Sequence, residues 1–250
     1  MNLPTTFFGW IGFIWEKYSP LFWKGTLNTL ILAIAGTLIG FLLGLLVAIV
    51  RTIPLSKKDH LAKKVLIRIA NALISIYIEV FRGTPMIVQA MVIYYGAMQI
   101  LKADIPAMGA AIFIISLNTG AYMAEIMRGG ILAIDKGQTE AGRSTGLTQA
   151  QTMLYIIWPQ AFRRMIPPLT NQCIISLKDT SLLVVIGVGE LTRQGQEIIA
   201  VNFRAFEVWL TVAIFYLAMT LSISAVLRYY ERKLMIGRRA VPASPSDPQM

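Results

Sequence analysis

Two groups of ionisable residues interrupt long apolar runs of the sequence. Glu79 and Arg82 lie within IYIEVFRGTP, and Lys178 and Asp179 lie within ISLKDTSLLVV. An ionisable side chain inside a membrane-spanning run is energetically unfavourable and is a functional hypothesis by default. Because each group carries both signs of charge, it is either a neutralised pair that packs a helix bundle or part of a site for a ligand that also carries both signs.

The residues after Arg82 predict a helix that stops and restarts within an apolar run. Gly83 relieves the bend, and Thr84-Pro85 is typical of a helix start because proline is favoured at the first helical position. A restarted helix points its free N–H groups and the positive end of its dipole into the protein, where they suit a carboxylate. Broken helices of this kind mark substrate sites in transporters.

An α-amino acid matches this arrangement of charges. Glu79 and Asp179 can hold its ammonium group, while the restarting helix with Lys178 or Arg82 can hold its carboxylate. Polar residues on neighbouring segments, including Thr119, are weaker candidates for the lining. The predicted substrate-binding residues are Glu79, Arg82, Gly83, Thr84, Pro85, Gln89, Asn118, Tyr122, Lys178, Asp179, Thr180 and Ser181.

The composition is that of a membrane protein. Of the 250 residues, 56% are hydrophobic and 14% are charged, whereas a soluble domain carries about a quarter charged residues. The net charge of +10 does not indicate nucleic-acid binding, because the basic residues flank the apolar runs and do not alternate with aromatic residues on a polar surface. We therefore expect an all-α polytopic membrane protein.

Catalytic chemistry has little support in the sequence. No GxxxxGK[ST] phosphate-binding loop is present, so this chain is not expected to hydrolyse ATP. The single histidine, His60, leaves no Ser/His/Asp arrangement and has no neighbours at metal-ligand spacing. We predict no catalytic residue, no metal and no cofactor bound by this chain, which argues against a membrane enzyme.

The apolar runs predict about five membrane-spanning helices, because a crossing takes about 20 apolar residues. The second and fourth are interrupted at the two ionisable groups. The runs lie at about 26–50, 65–100, 106–128, 168–186 and 206–227. Near the cytoplasmic end of the third run, Glu125 and Arg128 are three residues apart, which indicates a structural pair or part of an inner gate.

The ends of the chain are predicted to lie outside the transmembrane domain, which we place at residues 25–235. Residues 1–24 are expected to form an extracytoplasmic interfacial segment, with aromatic side chains at headgroup depth. These aromatic residues are Trp10, Trp15, Phe22 and Trp23. The Pro/Ser-rich residues 236–250 are expected to form a disordered cytoplasmic tail.

Glycine recurs at every fourth position of the first span, at Gly36, Gly40 and Gly44. This spacing forms a smooth stripe that lets another helix approach closely. We favour a partner helix within the same subunit, and a contact between two subunits is the alternative.

The basic residues predict the orientation. Three stretches, 51–68, 128–164 and 228–239, fall on one side of a five-span topology and hold 16 of the 23 Lys and Arg residues. The positive-inside rule makes that side the cytoplasm. The N-terminus is then extracytoplasmic and the C-terminus cytoplasmic, so a polar insert at 139–167 lies in the cytoplasm.

The cytoplasmic insert is predicted to form two short helices bent at Gly146. Glycine can turn the chain there, and Thr148 followed by Gln151 is typical of a capping box. Pro159 is expected to end or kink the second helix. A solvated connector is the alternative, although it would not need the apolar helix edge formed by Leu154 and Ile157.

Three stretches resemble the polar-amino-acid branch of ATP-binding-cassette (ABC) importer permeases. They are IEVFRGTPMIVQ at 78–89, NTGAYMAEIMRGGILAIDKGQTEAGRSTGL at 118–147 and ISLKDTSLLVVIGVGELTRQGQEI at 175–198. Within residues 139–167, Glu140, Ala141 and Gly146, followed by Ile157-Trp158-Pro159, resemble the family's cytoplasmic EAA coupling loop, here about 135–165. The resemblance implies that the ATPase-coupling residues are Glu140, Ala141, Gly142, Gly146, Leu147 and Thr148. Gly142 departs from the usual second alanine, and Trp158 stands where leucine is common before proline.

The resemblance also implies the partners and the location. These are a second permease subunit, identical or homologous, two cytoplasmic ATPases that carry ATP-Mg, an extracytoplasmic amino-acid-binding protein and the lipid of a bacterial inner membrane. The third stretch is most similar to glutamine permeases, so glutamine is favoured. Glutamate, arginine, histidine and cystine remain open as substrates, and a passive channel or an ion-coupled carrier is the mechanistic alternative.

Overall fold

The computed structural model of the protein describes residues 4–53, 55 and 60–235, which are helical except for short connections. A π-helical turn, Met153–Ile157, joins α6 to α7, and a 3-10 helix, Thr180–Ile186, follows α7. The α-helices are α1 (Phe7–Thr52), α2 (Leu61–Gly83), α3 (Met86–Leu101), α4 (Ala107–Leu132), α5 (Lys136–Ser144), α6 (Gln149–Thr152), α7 (Trp158–Asp179), α8 (Leu191–Asn202) and α9 (Ala205–Met235).

Four helical stretches are long and apolar enough to cross a membrane. They are Phe7–Thr52, Ala107–Leu132, Gln149–Ile186 and Ala205–Leu234. The remaining predicted crossing is the pair α2 and α3, separated at Thr84–Pro85, of which α3 is a shorter apolar helix. The prediction of an all-α polytopic fold with about five crossings is confirmed.

The glycine stripe of α1 packs against α4. An added Cβ at each of the three glycines would lie 2.1–2.8 Å from a side-chain atom of α4, which is closer than packed atoms approach. The facing pairs are Gly36 with Ile115, Gly40 with Thr119 and Gly44 with Met123. The facing residues of α4 also recur at every fourth position, so the two helices stay in close contact over two turns. The expectation of packing within the subunit is confirmed, and the stripe is not left open for a second copy.

The N-terminal aromatic residues are divided between two environments. α1 begins at Phe7 and continues without a break through the first span. Trp15 and Trp23 are exposed, as an interfacial position requires, but Trp10 and Phe22 are buried. Phe22 stacks on Phe215 of α9 with ring centroids 5.6 Å apart. Trp10 and Phe22 therefore pack within the protein, and the headgroup depth of the four aromatic residues stays a prediction.

Pro159 does not end its helix. It lies in the first turn of α7, directly after the π-helical turn, and helical structure is continuous from Gln149 to Ile186. The π-turn has already interrupted the regular i to i−4 hydrogen bonds, so a residue without an N–H is tolerated there. The fourth crossing is therefore a direct continuation of the polar insert rather than a separate span that begins near Pro168.

The second interruption lies where it was predicted but takes a different form from the first. The α-helix tightens to a 3-10 helix after Asp179 and ends at Gly187, whose φ is +79°. Left-handed φ values are readily adopted by glycine, which explains the stop at this position. The fourth span thus changes its winding at the ionisable pair without breaking as α2 and α3 do.

Candidate functional site

The carbonyl end of the helix break is closed by side chains of the protein. The Gln89 side-chain nitrogen lies 2.8–2.9 Å from three acceptors, the backbone carbonyl oxygens of Phe81 and Thr84 and the Thr84 hydroxyl. The Thr84 hydroxyl donates to the Val80 carbonyl, and the Asn118 amide donates to Gln89 Oε1 at 2.9 Å. These bonds occupy carbonyls that the end of α2 would otherwise leave without partners.

The opposite side of the break is different. α3 begins at Met86 with Pro85 as its N-terminal cap, and Pro85 supplies no side-chain acceptor to the first N–H groups. At the break, side chains therefore donate to the Val80, Phe81 and Thr84 carbonyls, while no side chain caps the first N–H groups of α3. Such a helix start favours an anion, which agrees with the expected carboxylate position.

Gln89 and Asn118 are buried, and their amides bond to each other and to the backbone of the break. Thr119, which was grouped with them as a candidate for the lining, is also buried and lies 2.9 Å from Ser176 Oγ of α7. These polar contacts link the helices within the subunit, and a substrate contact by these residues stays a prediction.

The ionisable candidates lie on accessible surfaces. Glu79, Arg82 and Lys178 are exposed, and Asp179 is half-buried. The Arg82 guanidinium lies over the Tyr122 ring, 5.6 Å from its centroid. Gly83, Thr84 and Pro85 form the exposed turn beside them, so the α2–α3 break brings together the first group of predicted residues.

The helix that follows the second ionisable group, Lys178 and Asp179, packs against α3 through apolar side chains. Met86 and Ala90 of α3 share a buried cluster with Leu183 and Ile186 of the 3-10 helix, and the Tyr95 hydroxyl donates to a carbonyl of the same helix at 3.1 Å. The Thr180 and Ser181 hydroxyls donate to backbone carbonyls one turn earlier, those of Leu177 and Lys178. Their oxygen atoms can still accept hydrogen bonds, but their protons are used locally.

The larger cavities among the described residues lie elsewhere. One of about 350 Å³ lies between the end of α1 and the start of α7, and one of about 530 Å³ lies between α1 and α9. Neither is lined by the predicted substrate-binding residues. Within one subunit, the candidate site is thus an open surface at the break.

A cluster of charges beside the break was not predicted as a unit. Glu125 of α4 accepts two hydrogen bonds from Arg128. Its carboxylate also lies 3.7 Å from Arg51 of α1 and 3.9 Å from Arg82 of α2. Only the Glu125–Arg128 spacing was visible in the sequence, because the other two arginines come from different helices.

The insert bends at Gly146 as predicted, but its second helix is not short, because it continues into the fourth crossing. Gly146, at φ +86°, ends α5: its N–H donates to the Arg143 carbonyl and the Leu147 N–H donates to the Gly142 carbonyl. These two bonds define a Schellman motif. Thr148 and Gln151 then form the reciprocal capping box that starts α6.

The insert leaves its coupling candidates accessible except at one position. Glu140, Ala141, Gly146 and Thr148 are exposed, and Leu147 is half-buried. Gly142 is buried, and a Cβ there would lie 2.7 Å from Thr152 Cγ2 and 2.8 Å from Ile156 Cδ1. The departure from alanine at this position has a physical reason, since α5 packs too closely on the following helix for a larger residue.

Comparison with known proteins decides the family. Residues 61–236 match the family described as binding-protein-dependent transport system inner membrane component. The chain belongs to this family. The permease is 47% identical to the glutamine transport system permease protein of Escherichia coli over 224 residues, which is 89% of this chain and 96% of that protein. It is 34% identical to the L-cystine transport system permease protein of Bacillus subtilis over 93% of this chain and 96% of that one.

Solved structures show the same architecture. The permease superposes on a chain from the crystal structure of an amino acid ABC transporter with histidines, with a TM-score of 0.76 and 41% identity over 87% of this chain and 96% of that one. It also matches a chain of the inward-facing MetNI methionine ABC transporter, with a TM-score of 0.69, over 88% and 98% of the two chains. At 22% identity the second match shows the fold alone. The permease is therefore a multi-pass helical membrane protein of the ABC importer type.

Proposed function

We propose that the permease imports a polar amino acid, with glutamine favoured, as the membrane-spanning part of an ATP-driven complex. The observation that carries this proposal is the α2–α3 break, where side chains donate to the Val80, Phe81 and Thr84 carbonyls and no side chain caps the start of α3. Both signs of charge lie beside this break. An α-amino acid has a carboxylate for the start of α3 and an ammonium group for Glu79 or Asp179. The similarity to a glutamine permease over 89% of the chain supports glutamine among the polar amino acids.

The proposed complex contains two permease subunits, two ATPases and an extracytoplasmic binding protein. The exposed residues of α5 and of the α5–α6 turn supply a rigid surface on which an ATPase can dock, because both helix ends are capped and Gly142 fixes their packing. The continuous helix from Gln149 to Ile186 joins that surface to the ionisable group at Lys178–Asp179. Motion of a docked ATPase can therefore reach the substrate site through one helix. The N-terminus is extracytoplasmic and the C-terminus cytoplasmic in this arrangement.

Competition for uptake tests the substrate assignment. The permease would be reconstituted with its ATPase and binding protein, and uptake of labelled glutamine would be challenged with glutamate, arginine, histidine and cystine. We expect unlabelled glutamine to compete and the other four to compete weakly. Strong competition by one of the four would retain amino-acid import but overturn glutamine, and absence of uptake for all five would overturn the proposed function.

A further inference from the structure

Glu79 and Arg82 do not neutralise each other in this structure. They are three residues apart on α2, a spacing at which opposite charges can pair. Both are exposed, and within residues 60–235 no ion pair joins them. Arg82 is directed instead towards Glu125 of α4, 3.9 Å away, and over the ring of Tyr122.

Arg82 retains its hydrogen-bonding capacity in this position. A guanidinium has five N–H donors, but Arg82 makes no hydrogen bond with the described residues; its contacts there are the ion pair and the ring. The Glu125 oxygens take their hydrogen bonds from Arg128. Arg82 is thus restrained by charge and by the ring while its donors remain available to a ligand.

The surrounding charges explain why this arrangement depends on Glu125. Three arginines, Arg51, Arg82 and Arg128, lie within 4 Å of this one carboxylate. Without the carboxylate, Arg82 would face two like charges, and Glu79 one turn earlier on α2 would be the nearest opposite charge on its own helix. Pairing of Glu79 with Arg82 would then remove a carboxylate and a guanidinium from the candidate site together.

We propose that Glu125 is a positioning residue that keeps Arg82 from neutralising Glu79. Arg82 is then available to the carboxylate of an amino acid, and Glu79 to its ammonium group. This inference rests on the proposed function and adds to it the separate roles of Arg82, Glu79 and Glu125. Glu125 does not touch the substrate; it determines which partner Arg82 has before the substrate arrives.

The test measures binding of glutamine and of its α-carboxamide analogue, which lacks the carboxylate, to the permease–ATPase complex without the binding protein. The wild-type complex is expected to prefer glutamine. Glu125→Gln should weaken glutamine binding about tenfold, the scale of one charge-assisted hydrogen bond. Binding of the analogue should fall less, so that the preference for glutamine shrinks.

Two further variants separate positioning from a general structural role. Glu79→Gln added to Glu125→Gln removes the competing carboxylate, so the preference for the carboxylate-bearing ligand should return towards the wild-type ratio. Glu197→Gln removes the acid of the exposed Arg193–Glu197 pair, whose atoms are 3.0 Å apart, and should leave the ratio unchanged.

Each outcome decides between the two proposals. The positioning role would be overturned if Glu125→Gln left the preference for glutamine over the analogue unchanged, or if the double variant did not restore that preference. Binding of glutamine by the wild-type complex would still support the proposed import. No binding of either ligand by the wild-type complex would overturn both.

Discussion

Gln89 is a polar residue within a membrane helix whose side chain bonds to the backbone of a helix break. Its amide lies within hydrogen-bonding distance of the Phe81 and Thr84 carbonyls and accepts a hydrogen bond from Asn118. These bonds are part-buried, and a typical intramolecular hydrogen bond stabilises a fold by about 0.5–1.5 kcal/mol. Gln89 therefore contributes to the stability of the break.

Replacement of Gln89 by leucine should destabilise the permease. The Phe81 and Thr84 carbonyls would lose a donor, so the apparent melting temperature of the detergent-solubilised complex should fall. Gln99→Leu is the matched control because Gln99 is an exposed residue of the same helix, and it should leave the melting temperature nearly unchanged. Equal melting temperatures for the two variants would contradict the capping role of Gln89.

The sequence predicted the helix break at Gly83-Thr84-Pro85 but not the side-chain contacts around it. The Gly-Thr-Pro run restricts the backbone locally, and the break occurs within one residue of the predicted helix start. The role of Gln89 and the charge cluster around Glu125 could not be predicted, because both depend on which helices pack together. Residues 51, 82 and 125 become neighbours only after α1, α2 and α4 have assembled.

At the scale of helices, close approach of α1 to α4 organises the subunit. Gly40 faces Thr119, and an added Cβ would lie 2.8 Å from Thr119 Cβ and 3.1 Å from the Gly120 backbone nitrogen. A rigid backbone atom cannot move aside as the end of a long side chain can. The two helices would have to separate to admit even a methyl group.

Gly40→Ala should therefore destabilise the helix pair by about 1–3 kcal/mol, the usual effect of overpacking. The readout is the apparent melting temperature and the yield of assembled complex. Gly12→Ala on the same helix is the control, since nothing lies within 4 Å of a Cβ at that position. A Gly40→Ala variant as stable as Gly12→Ala would show that the helices are less tightly packed than described.

The helix scale also accounts for the errors in the predicted boundaries. Pro159 was expected to end or kink a helix because proline lacks an N–H; it does not end the helix, because the preceding π-turn accommodates it. The fourth span was predicted to be interrupted at Lys178–Asp179, and α7 does end there, but the chain continues as a 3-10 helix. Apolar runs predicted where the chain crosses the membrane, while the winding within each crossing depends on hydrogen bonds that a hydropathy pattern does not contain.

For the whole molecule, one continuous helix from Gln149 to Ile186 connects the proposed docking surface to the candidate substrate site. The membrane fold and the family membership rest on the match over residues 61–236 and on the solved structures. We expect the capped insert between α4 and α7 to serve as the ATPase docking surface, which neither a passive channel nor an ion-coupled carrier would need. The proposed function therefore predicts both the direction of transport and its energy source.

The most direct measurement is accumulation of labelled glutamine in vesicles that contain the reconstituted permease and ATPase, with the binding protein outside. We predict uptake against a concentration gradient when ATP is enclosed, and none when it is replaced by a non-hydrolysable analogue or by a proton or sodium gradient. Concentrative uptake driven by an ion gradient without ATP, or mere equilibration that is indifferent to ATP, would contradict the account.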